Sequence, residues 1–168
     1  MRYVMIALMF LMSLVLPGTL FHFWAWSGIK PDLLMLLTIY MAMHHRLPSS
    51  MLWGLGAGLL EDFYLGRYIG MYTLTLIVVA VLSNWLTERW YRENFLLTTF
   101  MVFLVTMVGQ ICVAFLGLGA GLQWSLGDIA QLVFGVALYN AVLVPVTYPL
   151  IHRSFLHGWL RYRPRYER

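Results

Sequence analysis

Gly54, Gly58 and Asp62 recur at four-residue intervals in the segment Gly54-Leu-Gly-Ala-Gly58-Leu-Leu-Glu61-Asp62, which puts them on one stripe of a helix. Glycines at this spacing let a second backbone come close, and two carboxylates follow them at the end of the same helix. An ionisable side chain at membrane depth is expensive, so it is retained for a role inside a helix bundle or at a partner surface. Gly66 and Gly70 follow on either side of Arg67. The stripe predicts helix packing or a partner interface, with Glu61 and Asp62 offered to donors or cations one turn beyond the glycines.

The other polar groups carry less. In Lys30-Pro31-Asp32, Pro31 suits a first helical turn and Asp32 can accept bonds from the unpaired amides there, so the pair reads as a helix cap. His44 and His45 are adjacent and point to different sides of a helix, with no acidic or cysteine partner four residues away, which argues against a metal site. Asn84, Gln110, Asp128, Gln131 and Asn140 read as interhelical hydrogen-bonding groups. Glu88 with Arg92, and Arg89 with Glu93, would pair along one solvated helical turn. Cys112 stands alone in an apolar run and reads as a small buried side chain. No Gly-x-Ser-x-Gly elbow, phosphate loop, His-Glu-x-x-His or paired Cys-x-x-Cys is present, so no catalytic, cofactor or metal residues are assigned. The Gly-x-Gly-x-Gly at 54 to 58 follows no strand and no lysine comes after it, so neither a nucleotide nor a nucleic-acid partner is expected.

The elements that must hold these residues are membrane helices. The chain has 168 residues, 61% of them hydrophobic and 11% charged, and a mean hydropathy of +0.77. One soluble core cannot hide that much apolar surface. Since each pass with its turn uses about 25 to 28 residues, the length fits a single all-α domain of six helices. Apolar runs place the spans near 3–24, 32–43, 49–65, 69–86, 95–118 and 129–151, with a basic tail at 152–168. The second run is short and the third is glycine-rich with an acidic end, so a re-entrant hairpin over 32–65 is the alternative to two full crossings. The first run continues past Pro17-Gly18 into bulky aromatics, which favours a retained span over a cleaved signal.

Lys and Arg accumulate in cytoplasmic loops. With six spans and an inner N-terminus, nine arginines (2, 46, 89, 92, 153, 161, 163, 165 and 168) fall inside and only Lys30 and Arg67 fall outside. Both termini are therefore expected in the cytoplasm. Most of the tryptophans lie near span ends, as interfacial rings do, with Trp53 the exception. Arg161, Arg163, Arg165 and Arg168 form a cationic tail suited to an anionic inner leaflet or an acidic cytoplasmic partner.

The ordered set Lys30-Pro31-Asp32-Leu-Leu-Met-Leu-Leu, His45-Arg46, Gly54 to Gly58 with Leu59-Leu60-Glu61-Asp62, then Gly66 and Gly70, resembles the bacterial rod shape-determining MreD family. The motifs cover about residues 29 to 85, and beyond them only hydropathy and spacing match. The resemblance implies a non-enzymatic component of the cell-elongation machinery in the bacterial inner membrane. It would bind MreC and be linked through it to the MreB filament, RodA and a penicillin-binding synthase of lateral-wall peptidoglycan. It further implies a six-helix fold similar to substrate-binding subunits of energy-coupling-factor vitamin transporters, which supplies the alternative function of a small-molecule-binding subunit.

Overall fold

The computed structural model describes residues 2–19, 29–66, 68–90 and 94–156. Arg67, Trp24, Trp26, Arg92, Glu93 and the tail arginines 161, 163, 165 and 168 lie outside them. The described chain is all-helical, in six helices: α1 (Arg2–Thr19), α2 (Leu33–His44), α3 (Leu47–Leu65), α4 (Met71–Trp90), α5 (Phe95–Gly119) and α6 (Leu126–Leu156).

α2 is the centre of the molecule, and it touches all five other helices. It has only 12 residues, a length of about 18 Å, and every side chain from Leu34 to Ala42 is buried. A helix that is apolar on all sides must be enclosed, which is why Leu33–Met43 shows no polar face. At about 18 Å it falls well short of the roughly 30 Å hydrocarbon thickness. Among the described residues, three helices are long and apolar enough to cross a bilayer: Met71–Arg89, Phe95–Gly119 and Leu126–Ile151. Ile6–Thr19 and Leu33–His44 are apolar but shorter. The outer surface carries the remaining apolar bulk, with Phe115, Leu126, Leu96 and Ile69 all strongly exposed.

Local chemistry sets the helix ends. The Asp32 carboxylate accepts the Met35 amide at 2.9 Å and starts α2, which ends where His45 turns extended. α3 begins two residues later with Pro48 in its first turn and ends at Gly66, whose φ of 65° places it in the left-handed region. Asn94 caps α5 through the Leu96 amide at 3.1 Å. Ser125 and Asp128 cap α6 reciprocally, each accepting the other's amide, at 3.2 and 3.0 Å.

Several bounds differ from the apolar runs. α4 starts at Met71 rather than 69 and continues through Glu88 and Arg89, because those side chains are exposed and the helix needs no apolar face there. Arg89 instead lies over the Trp85 ring at 5.5 Å. α6 starts at Leu126, set by its Ser125 cap, and runs through Pro145 and Pro149 to Leu156. Trp53 departs from the span-end pattern because it packs against the core, its ring stacked on Phe10 of α1 at 5.9 Å.

Candidate functional site

Gly54 and Gly58 face α4. A Cβ added at Gly54 would lie 2.5 Å from the Leu76 carbonyl oxygen, and one added at Gly58 would meet the Thr73 Cα and, at 2.7 Å, the Thr73 amide nitrogen. Only glycine fits where two helix backbones approach this closely.

Asp62, one turn further along the same stripe, completes the contact. Its carboxylate is 1% exposed and accepts four hydrogen bonds from the start of α4. The amides of Gly70, Tyr72 and Thr73 donate at 2.8, 2.9 and 3.1 Å, and the Thr73 hydroxyl donates at 2.5 Å. The first amides of a helix have no partner within it, and an anion there also meets the positive end of the helix dipole. Asp62 is therefore an N-cap supplied from a neighbouring helix.

Of the two uses expected of the stripe, helix packing or a partner interface, Asp62 engages in the first, toward α4. Asp62 is closed off because all four donors come from its own chain. Gly66 and Gly70 differ from the packing glycines too, since a Cβ at either would have no atom within 4 Å. They serve the turn between α3 and α4: both have positive φ, 65° and 102°, and the Gly66 amide donates to the Asp62 carbonyl at 2.9 Å.

Asp32 is a second junction. Besides capping α2, its Oδ2 accepts Gln110 Nε2 of α5 at 3.1 Å. Its amide donates to Asn140 Oδ1 of α6 at 3.1 Å, and its carbonyl accepts Asn140 Nδ2 at 3.2 Å. Pro31 is buried beside it. One residue thus ties together α2, α5 and α6. At the opposite end of α2, Asn84 of α4 donates to the carbonyls of Ala42 and His45 at 3.2 and 2.7 Å and clamps the α2–α3 turn. Of the other polar groups expected to bond between helices, Asp128 caps locally and Gln131 is exposed.

Glu61 sits next to Asp62 and so turns to another side of α3. It lines a cavity of about 610 Å³ with Lys30, Asp32, Tyr72, Gln110 and Asp128. Its buried Oε2 has no hydrogen-bond partner among the described residues. The cavity lies among α1, α2, α3, α4, α5 and α6, and Tyr72 in its wall was not singled out by sequence because nothing in its neighbours marks it as polar lining.

A family model described as rod shape-determining protein MreD matches residues 1–156. The chain belongs to the MreD family. Membership and three membrane-capable helices make it a membrane component that determines rod shape. The MreD family is a shape-determining structural family rather than an enzyme family. No curated protein and no solved structure matches the chain. The comparisons thus add nothing to the alternative of a vitamin-type transporter subunit. In this MreD family member, the Pro-Asp and the glycine-acid motifs that carried the resemblance are the two junctions just described: Asp32 joins α2 to α5 and α6, and Gly54, Gly58 and Asp62 join α3 to α4.

Proposed function

We propose that the chain is a non-enzymatic, multi-pass component of the cell-elongation complex in the bacterial inner membrane. It would bind MreC there and support lateral-wall peptidoglycan synthesis together with the MreB filament, RodA and a penicillin-binding synthase. The observation that carries this reading is the family match over residues 1–156. Six membrane passes with both termini cytoplasmic go with it, supported by the nine-to-two distribution of basic residues. The short α2 then crosses only with help from its flanks, enclosed by its neighbours rather than by lipid.

A scaffold needs an outward surface. With Gly54, Gly58 and Asp62 engaged by α4, the partner surface moves to exposed groups such as Phe63, Tyr64 and Ile69 around the α3–α4 turn, on the side that the proposed topology puts outermost. The tail arginines 161, 163, 165 and 168 would hold the C-terminus to the anionic inner leaflet.

The test is co-purification of tagged chain with full-length MreC from detergent-solubilised membranes. Recovery should fall when Phe63 and Tyr64 are both replaced by Ala while the amount of membrane-inserted chain stays constant. Failure to recover MreC with the unaltered chain under conditions that retain other membrane complexes contradicts the reading.

A further inference from the structure

A second, apolar recess borders the Glu61 cavity. Ser13 of α1 and Leu33 of α2 line both. The recess, about 240 Å³, runs between α1 and α2 toward the C-terminal part of α6, along Leu8, Met12, Leu16, Leu36, Tyr40 and Ile151. From Leu33 to Tyr40 it follows about 10 Å of helix. A chamber that carries charged groups and borders an apolar trough is matched to an amphiphile rather than to a free polar solute.

The charges of the chamber are mixed. Among the described residues, Asp32, Glu61 and Asp128 face it together with one cation, Lys30. Both Asp32 oxygens are already engaged, by the Met35 amide and Gln110, and Asp128 is engaged by the Ser125 amide. Glu61 is different, since its buried Oε2 has no partner among the described residues. A buried carboxylate oxygen without a donor is costly, so the position calls for an N–H group brought by an occupant. A phosphate beside Lys30 and a primary ammonium at Glu61 complement both signs at once.

We propose that the chamber and trough bind one aminophospholipid, a diacyl lipid whose headgroup carries a phosphate and a primary ammonium, with an acyl chain lying between α1 and α2. The ammonium donates to Glu61, the phosphate meets Lys30, and the chain covers Leu8, Met12 and Leu36. The proposal goes beyond the MreC-binding role and does not depend on it, because it needs only that the protein lies in a membrane.

The test uses the full chain in nanodiscs made from equal parts of phosphatidylethanolamine, phosphatidylcholine and phosphatidylglycerol with the same acyl chains, followed by native mass spectrometry of the lipid retained. Phosphatidylethanolamine should be retained over phosphatidylcholine by about tenfold, because choline has no N–H to give Glu61. Glu61→Gln should remove most of that preference. Met12→Trp fills the trough from an exposed position, and should reduce retention of phosphatidylethanolamine even if Glu61→Gln fails to fold. Equal retention of the three lipids by the unaltered chain, or a preference unchanged by Glu61→Gln, overturns the proposal. Displacement of the lipid by free ethanolamine at comparable concentration also overturns it, and assigns the chamber to a small amine.

Discussion

Asp62→Ala removes the acceptor that holds the start of α4. Four donors lose their partner: three backbone amides and the Thr73 hydroxyl. A hydrogen bond to a charged group contributes about 1.5 to 3 kcal/mol, but these donors lie at a helix end where water can replace part of the loss. Taking about 1 kcal/mol for each of the four donors gives a destabilisation of about 4 kcal/mol, to which the lost helix-dipole interaction adds about 0.5 kcal/mol. Unfolding in mixed micelles followed by tryptophan fluorescence measures it, alongside the amount of chain in the membrane. Thr73→Val removes one donor and should cost about 1 kcal/mol alone, and far less when Asp62 is already Ala. A carboxylate facing a partner would behave otherwise: Asp62→Ala would leave the fold intact and weaken only co-purification. A stability change below about 1 kcal/mol, or additive effects of the two substitutions, refutes the cap.

Gly58→Ala should destabilise the chain by about 1 to 3 kcal/mol in the same assay, because its Cβ meets α4 backbone that cannot give way, and Gly66→Ala should act through its positive φ instead, with α3–α4 packing kept. Asn140→Ala strips Asp32 of two backbone bonds and should cost about 1 to 3 kcal/mol, read as a lower unfolding midpoint in the same assay. For topology, single cysteines introduced at positions 28 and 67, with Cys112 replaced by Ala, should label from outside intact cells while positions 46, 90 and 160 stay protected; labelling at 46 would reverse the order.

Much of this was legible in the sequence where chemistry is local. Pro31-Asp32 announced a cap because the capping donor lies three residues away, at Met35. The Gly54–Gly58–Asp62 stripe was visible because a helix repeats every 3.6 residues, but the sequence could not say what lay against it. The answer, α4, follows from a tight turn and four donors, none of which has a signature of its own. Asp32 showed the opposite limit. Its partners Gln110 and Asn140 lie 78 and 108 residues away, and each looked like any polar group in a span. The second and third runs left a re-entrant hairpin open, the second because its short, uniform apolar run resembles a weak span; the run is uniform because α2 is enclosed by the other helices. Trp53 broke the interfacial pattern for the same reason, since packing on Phe10 fixes it rather than the membrane surface.

Cell shape tests the central claim most directly. The chain is expressed in a rod-shaped bacterium depleted of its own MreD, and cell width and length are measured together with the amount of chain in the membrane. The account predicts that rod shape returns with the unaltered chain and is lost with Asp62→Ala in proportion to the protein lost. Cells that stay round while the unaltered chain accumulates in the membrane alongside that bacterium's MreC would contradict it.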